Sequence, residues 1–193
     1  ALVDVTVAGV CDTDLQLARG YMGFSGVPGH EFVGVVRSSA DASWIGKRVV
    51  ADINAGCGAC EVCRAAPLGS HHCPTRTVLG ILGRSGAFAQ TLAVPARCLV
   101  AVPELVSDDQ AVFAEPLAAA LHVLDDLEQA GGAAADPNER VVVVGDGKLG
   151  QLIARAIVGA GRRVIVVGRH EHKLALAAAP EPALDPLGLR SST

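Results

Sequence analysis

The stretch that decides the fold is "RVVVVGDGKLGQLIARAIVGAGRRVIVV", residues 140–167. A run of four valines leads into a glycine-rich turn, then a segment with apolar residues at helical spacing, then a second apolar run. Valine-rich runs are typical of buried parallel strands, and a parallel pair needs a crossover, usually a helix. We therefore predict one βαβ unit in a parallel sheet covered on both faces. The apolar face of its helix is expected to carry Leu149, Leu152, Ile153, Ala156 and Ile157.

The turn of this unit has the glycine spacing G-x-G-x-x-G, at Gly145, Gly147 and Gly150. The first glycine permits a tight turn, the second lets a pyrophosphate approach the backbone, and the third allows close packing of the helix. The free N–H groups at the start of a helix also attract anions. We interpret the turn, with Lys148 and Leu149, as a dinucleotide-binding site; the alternative is an ordinary tight turn of an α/β fold.

The end of the second predicted strand bears on which dinucleotide binds. NAD sites place an acidic residue there for the ribose 2′-hydroxyl, about 20 residues past the glycines. In this chain the strand ends in Gly168, Arg169 and His170, with no acid at its tip. An available guanidinium suits a 2′-phosphate, so the sequence favours NADP through Gly168 and Arg169. Two alternatives stay open: Glu171 would serve NAD, or Arg169 would be a solvated surface residue.

The first hundred residues have a different character, because short apolar or alternating stretches are separated by glycine and proline. Such stretches are typical of strands. They lie at residues 3–7, 31–36, 46–53, 87–94 and 97–102. We therefore expect an all-β, barrel-like domain interrupted by long functional loops.

The pattern changes at Ser107, where "SDDQ" has the form of a capping box with Gln110. Pro116 then interrupts this helix or starts the next one. The sequence thus predicts an α/β plus β protein with two domains, residues 1–114 and 115–193.

Composition excludes several classes of function. The chain of 193 residues has 16 Lys and Arg against 20 Asp and Glu, a formal net charge of -4, which argues against a nucleic-acid partner. We find neither an apolar run of about 18 residues nor a signal-peptide leader, so we expect no membrane partner. Six cysteines, mostly clustered, favour a metal site in a reducing cytoplasm over disulfides.

Four of these cysteines follow the spacing C-x2-C-x2-C-x9-C, at Cys57, Cys60, Cys63 and Cys73. Thiolates at such spacing wrap a tetrahedral zinc, and four protein ligands leave no position for water or substrate. The sequence therefore predicts a structural zinc. Because His71 and His72 adjoin Cys73, either histidine remains an alternative fourth ligand.

A second, scattered set combines a thiol, an imidazole and carboxylates. Cys11 follows the first predicted strand, His30 and Glu31 follow a glycine-rich loop, and Glu115 lies at the boundary between the predicted domains. Such groups can hold zinc and leave one position open. On spacing alone, a buried structural cysteine and a hydrogen-bonded structural histidine are the favoured interpretation.

Four stretches together resemble the zinc-dependent medium-chain dehydrogenases of the alcohol dehydrogenase superfamily. They are "GVCDTDLQLARGYMGFSGVPGHEFVGVV", the cysteine run, "AEPLAAALH" and "VVVVGDGKLG". Within that superfamily they are most similar to the sorbitol and threonine dehydrogenase-like branch. The resemblance implies a GroES-like β-barrel catalytic domain followed by the start of a Rossmann domain. Because the family's chains are much longer, it also implies a fragment truncated at both ends.

The resemblance also assigns roles to residues. It implies that four residues surround a catalytic zinc: Cys11, His30, Glu31 and Glu115. Which glutamate serves as the fourth ligand stays open. Thr13 matches a hydroxyl that passes a proton from the alcohol, and Asp14 matches an acid that supports the metal ligands. The implied mechanism is Lewis-acid activation of the alcohol and hydride transfer to a nicotinamide.

The sequence thus predicts a zinc-dependent oxidoreductase acting on a secondary alcohol or polyol with NADP or NAD. We expect two zinc ions per chain, a small-molecule substrate and, for the intact enzyme, a homo-oligomer. One alternative is a truncated zinc-binding protein without turnover. A zinc-ribbon interaction or nucleic-acid module is disfavoured by the acidic charge and the scarcity of aromatic residues.

Overall fold

A computed structural model describes residues 1–65, 69–131 and 140–178. The chain divides into two compact units, Ala1–Glu115 and Pro116–Thr193. The strands are β1 (Leu2–Gly9), β2 (Glu31–Ser38), β3 (Arg48–Ala51), β4 (Asn54–Ala55), β5 (Thr77–Leu79), β6 (Gly83–Arg84), β7 (Thr91–Ala93), β8 (Leu99–Ala101), β9 (Arg140–Val144) and β10 (Arg163–Val167). The α-helices are α1 (Asp12–Ala18), α2 (Glu61–Ala65), α3 (Asp108–Ala111), α4 (Ala114–Gly131), α5 (Lys148–Gly159) and α6 (Glu171–Ala178).

The first unit is built on an antiparallel sheet with the strand order β7-β1-β2-β3-β8. Its longest ladder joins β1 and β2, from Leu2 opposite Ser38 to Gly9 opposite Glu31. Because these strands alternate inward and outward residues, the inward side chains form one core. That core contains Val3, Phe32, Val36, Val49, Leu79, Ala87, Leu92, Val94 and Leu99. The ladder also sets the end of β1 beside the start of β2, which positions the site described below.

The predicted barrel is not what the described residues form. The five-stranded sheet is open, and β4, β5 and β6 make a separate three-stranded sheet. Closure of a barrel requires every strand to pair on both sides with a consistent stagger. Here β4 to β6 are two or three residues long and pair among themselves, so they do not close the larger sheet.

Three predicted strands, at residues 46–53, 87–94 and 97–102, are shorter in the structure, and the helices α1, α2 and α6 were not predicted. The residues before β7 bind a loop instead of a strand: the N–H groups of Ala87 and Phe88 donate to the carbonyls of Gly29 and Pro28 at 2.8 and 3.0 Å. A 3-10 turn at Ala96–Cys98 occupies the start of the stretch predicted at 97–102. Among the unpredicted helices, α1 follows β1 and carries Thr13 and Asp14.

The capping box at Ser107 is confirmed. Ser107 N–H donates to Gln110 Oε1 at 3.0 Å, and Gln110 N–H donates to Ser107 Oγ at 3.3 Å. The helix α3 that it starts ends at Ala111, and α4 begins at Ala114. Pro116 therefore lies in the first turn of α4, where its missing N–H costs no intrahelical hydrogen bond.

The second unit contains the predicted βαβ arrangement. Strands β9 and β10 are parallel, from Arg140 opposite Arg163 to Val144 opposite Val167, and α5 connects them. The prediction that both faces of the β9–β10 sheet are covered is not met within the described residues. The face with Val143 is buried, whereas Val142, Val144, Ile165 and Val167 are exposed, because these two strands have their helix cover on one side. Leu149 also differs from the predicted apolar stripe, since it is half exposed.

The helices of residues 1–65, 69–131 and 140–178 do not have the character of membrane spans. None of them combines the length and apolar character that a bilayer span requires.

Candidate functional site

The four clustered cysteines come together in the first unit. Cys57 and Cys60 lie in the loop after β4, Cys63 lies in α2, and Cys73 follows the 3-10 turn Gly69–His72. Their sulfur atoms all lie within 4.8 Å of one another, with 4.0 Å between Cys57 and Cys63 and 3.9 Å between Cys60 and Cys73. Tetrahedral zinc–thiolate bonds of about 2.3 Å require sulfurs about 3.8 Å apart. The geometry therefore fits a zinc ion.

Hydrogen bonds lower the pKa of two of these four cysteines, Cys57 and Cys73. The side chain of Thr75 and then the backbone N–H of Cys57 lower the pKa of Cys73 to about 6. The backbone N–H groups of Ala59 and Cys60 lower the pKa of Cys57 as well. At Cys63 the backbone N–H of Gly58 lowers the pKa, but burial and the neighbouring sulfurs outweigh it and raise the pKa to about 11. The hydrogen bonds therefore favour the metal-binding thiolate at Cys57 and Cys73.

The histidines beside Cys73 lie outside this sulfur group. His71 Nε2 lies 3.0 Å from Asp52 Oδ2. His72 is exposed, and neither imidazole belongs to the group whose ligand atoms converge. Of the three candidates for the fourth ligand, Cys73 is the one that the structure brings to the other cysteines.

A second convergent group contains Cys11, His30 and Glu31. One ligand atom from each lies within 4.8 Å of those of the other two. The β1–β2 ladder produces this arrangement, because Cys11 follows β1 and precedes α1, while Glu31 opens β2 opposite Gly9. Gly9 is required at its position, since a Cβ there would overlap the Glu31 carboxylate. His30 and Glu31 are buried, and Cys11 is partly exposed.

Asp14 supports this group from beneath. Its Oδ2 accepts a hydrogen bond from Cys11 N–H at 2.8 Å, and its Oδ1 accepts one from Gly29 N–H at 3.0 Å. His30 Nδ1 lies 3.4 Å from Asp14 Oδ1 and has no hydrogen bond of good geometry within the described residues. A partly exposed thiol with a buried imidazole and carboxylate, backed by an acid, makes a donor set that zinc accepts, so the residues present fit a zinc ion.

Glu115 is not one of the three convergent residues, but the carboxylates of Glu31 and Asp14 influence its pKa. Burial first, and then the carboxylates of Glu31 and Asp14, raise its pKa to about 7. The site therefore gathers three carboxyl groups whose mutual repulsion a cation would relieve. Thr13 lies in α1 with its Oγ1 3.6 Å from Cys11 Sγ.

The glycine turn of the second unit has the geometry that a dinucleotide requires. Gly145 has φ +128°, a conformation that favours glycine, and its N–H donates to Val167 O at 2.8 Å. A Cβ on Gly150 would overlap the carbonyl oxygen of Gly145, so α5 packs closely on the turn. By contrast, a Cβ on Gly147 would meet nothing within 4 Å. The turn thus leaves open space at the glycine where a pyrophosphate would approach, and the chain fits the cofactor there. Lys148 and Leu149 form the first turn of α5.

Asp146, inside this turn, is a residue that the sequence reasoning missed. Its carboxylate reaches the tip of β10, where it accepts hydrogen bonds from the N–H groups of Arg169 and His170 at 2.8 and 2.6 Å. A Cβ on Gly168 would overlap the Asp146 side chain, so Gly168 makes room for that carboxylate. The expected position of the acid was the strand tip itself, where the sequence has Gly168, Arg169 and His170. A sequence pattern that would have predicted this contact is an acidic residue within the glycine turn, together with a glycine at the end of the second strand.

Comparison with known proteins agrees with this arrangement. The alcohol dehydrogenase GroES-like domain family matches residues 1–104. L-threonine 3-dehydrogenase of Chelativorans sp. (strain BNC1) is 35% identical over 91% of this chain and 51% of the relative. The chain therefore spans about half the length of this curated relative.

Two solved structures share the fold. Short chain alcohol dehydrogenase RspB from Escherichia coli CFT073, complexed with NADH, has a TM-score of 0.79 and 31% identity, covering 92% of this chain and 51% of that one. A Sinorhizobium meliloti 1021 protein described as a zinc-binding dehydrogenase and bound to NADP has a TM-score of 0.75 and 29% identity, with the same coverage. Through its alcohol dehydrogenase GroES-like domain, the chain belongs to the medium-chain dehydrogenase superfamily.

Proposed function

We propose that the protein is a zinc-dependent oxidoreductase that transfers hydride between an alcohol, either a secondary alcohol or a polyol, and NAD(P). The observation that carries this proposal is the convergence of the partly exposed Cys11 with the buried His30 and Glu31 beside Asp14. A purely structural zinc site has four protein ligands, whereas this set has three and leaves a position for substrate. The alcohol and threonine dehydrogenases among the similar proteins support the same class of reaction.

In this proposal, Cys11, His30, Glu31 and Glu115 surround the catalytic zinc, and Glu31 and Glu115 exchange with water as ligands. Zinc at such a set supplies Lewis-acid polarisation of an alcohol or carbonyl oxygen. Asp14 fixes the backbone of Cys11 and of the residue before His30, so it holds two of the ligands at their separation. Thr13 carries a proton away from the reacting alcohol. Its hydroxyl 3.6 Å from Cys11 Sγ supports that role.

Cys57, Cys60, Cys63 and Cys73 hold a second, structural zinc in this proposal, giving two zinc ions per chain. Its four thiolates leave no open position, so its contribution is to stability. The cluster links the loop after β4 to α2 and to the 3-10 turn that precedes Cys73.

The second unit is, in this proposal, the start of a Rossmann domain, with the boundary between domains at residues 114 and 115. A nicotinamide dinucleotide supplies hydride acceptance and donation. The residues proposed to contact it are Gly145, Gly147, Lys148, Leu149, Gly150, Gly168 and Arg169. Arg169 favours NADP by its charge, whereas the carboxylate of Asp146 beside it opposes a 2′-phosphate.

The proposal also covers the compartment of the protein, its partner and its oligomeric state. We place the protein in the cytoplasm, because the four clustered cysteines need a reducing compartment to bind metal as thiolates. Its partner is a small-molecule alcohol or carbonyl compound, and the intact enzyme is a homo-oligomer.

The proposal is tested by measuring zinc content and NAD(P)H formation with a panel of secondary alcohols and polyols. We expect two zinc ions per chain and turnover that depends on one of them. Cys11→Ser should remove that zinc and the turnover while leaving the protein folded. Zinc binding without NAD(P)H formation from any alcohol would instead support the alternative of a zinc-binding protein without turnover.

A further inference from the structure

The carboxylate of Asp146 reaches the tip of β10, the place where NAD sites usually carry the acid that binds the adenosine ribose. Asp146 lies in the glycine turn, between Gly145 and Gly147, and its side chain is about one-tenth exposed. Its Oδ2 accepts hydrogen bonds from the N–H groups of Arg169 and His170, and His170 Nδ1 lies 3.0 Å from the same oxygen. The acid that NAD sites usually carry on the second strand is thus supplied from the first turn.

We propose that Asp146 selects against the 2′-phosphate of NADP and makes this site prefer NAD. The inference rests on the proposed function, because it assumes that the turn at Gly145–Gly150 binds a nicotinamide dinucleotide. It goes beyond that function by assigning cofactor specificity to a residue within the turn.

Asp146 already uses the hydrogen-bond donors at the tip of β10. A 2′-phosphate at the tip of β10 would need N–H groups there to compensate for its lost hydration. The N–H groups of Arg169 and His170 are already taken by Asp146 at short distances. The carboxylate also fills the space left by the missing side chain of Gly168. A phosphate would therefore have to displace a fixed, buried group.

The negative charge of Asp146 also opposes a 2′-phosphate. Asp146 stays ionised, because hydrogen bonds from the backbone and then the side chain of His170 lower its pKa to about 2. Arg169 offers the opposite charge, but its side chain is exposed. An exposed guanidinium is mobile and screened by salt, whereas a carboxylate held by three contacts acts at full strength on a neighbouring phosphate. The fixed negative charge should therefore outweigh the mobile positive one.

The experiment compares ADP-ribose with 2′-phospho-ADP-ribose, two probes that differ at the ribose 2′ position. Their affinities for the full chain are measured by calorimetry at pH 8. We expect the wild-type protein to bind ADP-ribose about tenfold more tightly, the size of effect that one fixed charge has at short range. Asp146→Asn keeps the side-chain shape and removes the charge, so it should reduce this ratio at least fivefold, mainly by tightening the 2′-phosphorylated probe.

Asp126→Asn is the matched control, since it removes one negative charge from an exposed position of α4. It should leave the ratio unchanged. If the wild-type protein prefers 2′-phospho-ADP-ribose or binds both probes equally, the inference is wrong. That result needs no variant, so it stands even if Asp146→Asn fails to fold. If neither probe binds, the proposed dinucleotide function of the turn fails, and this inference fails with it.

Discussion

Asp14 accepts a hydrogen bond of 2.8 Å from the backbone N–H of Cys11. Its other oxygen accepts one of 3.0 Å from Gly29 N–H, directly before His30. One buried carboxylate thus joins the start of α1 to the loop that enters β2. Because Cys11 and His30 come from these two places, the separation of two proposed zinc ligands depends on Asp14.

We therefore expect Asp14→Asn to weaken the proposed catalytic zinc by about 10–100-fold, the usual effect of losing a group that orients metal ligands. Zinc per chain, measured after dialysis against a weak chelator, should fall from two to one. Asp12→Asn is the control, because Asp12 lies in the same helical turn but is exposed and contacts only Gln16 among the described side chains. Equal zinc loss in both variants would mean that Asp14 has no special role.

Replacing one cysteine in each of the two proposed zinc sites should have different effects on stability. Cys60→Ser is expected to remove the clustered zinc and to lower the melting temperature by roughly 10 °C, because a structural metal site adds several kcal/mol to folding. Cys11→Ser should remove the other zinc with a much smaller change in melting temperature. The measurements are metal content and thermal unfolding by circular dichroism.

Cys98→Ala provides the control for cysteine replacement, since Cys98 is buried and belongs to neither convergent group. It should keep both zinc ions. If Cys60→Ser abolished turnover in a protein that kept its stability, the assignment of structural and catalytic roles would be reversed.

Structural features that depend on residues close together in the sequence were predicted, whereas features that depend on distant residues were not predicted from spacing. The βαβ unit, the capping box at Ser107 and the spacing of the cysteines depend on neighbours within a few residues, so sequence spacing predicts them. The convergence of Cys11 with His30 depends on the β1–β2 ladder, and only the family resemblance pointed to it. The carboxylate of Asp146 reaches residues that are 23 and 24 positions away, which no local pattern records.

The prediction of a barrel was wrong because it also depended on contacts between residues far apart in the sequence. Alternating apolar residues predict strands but not their partners, because register and closure depend on contacts between distant strands. Residues 87 and 88 look like part of a strand, yet their N–H groups bind the carbonyls of Gly29 and Pro28. Whether a strand pairs with a strand or with a loop is decided by the tertiary structure.

Glu115 should make stability depend on pH when zinc is absent. Burial, followed by the charges of Glu31 and Asp14, raises its pKa from 4.5 to about 7. The folded state therefore binds the proton more tightly than the unfolded state, so this stability is present below about pH 4.5 and is lost as pH rises through 7. Glu115→Gln should raise the unfolding free energy of the chelated protein by about 2 kcal/mol at pH 8 and leave it unchanged at pH 4.5.

Urea unfolding at the two pH values measures this effect. Glu104→Gln is the matched control, because Glu104 is exposed and should show no pH-dependent difference. Added zinc should abolish the gain from Glu115→Gln, since a cation near Glu31 favours the ionised carboxylate. A gain that persists with zinc bound would show that Glu115 lies outside the influence of the metal.

Gly147 and Gly150 should respond differently to alanine, although both belong to the glycine turn. A Cβ at Gly147 meets nothing within 4 Å, and its φ of −76° suits alanine, so Gly147→Ala should change stability by less than about 1 kcal/mol. The same methyl group would stand where a pyrophosphate approaches, so affinity for ADP-ribose should fall at least about tenfold. At Gly150 a Cβ overlaps the Gly145 carbonyl, and Gly150→Ala should instead destabilise the fold by about 2 kcal/mol. Calorimetry and urea unfolding of both variants separate the two effects, and a Gly147→Ala protein that binds ADP-ribose normally would argue against a dinucleotide at this turn.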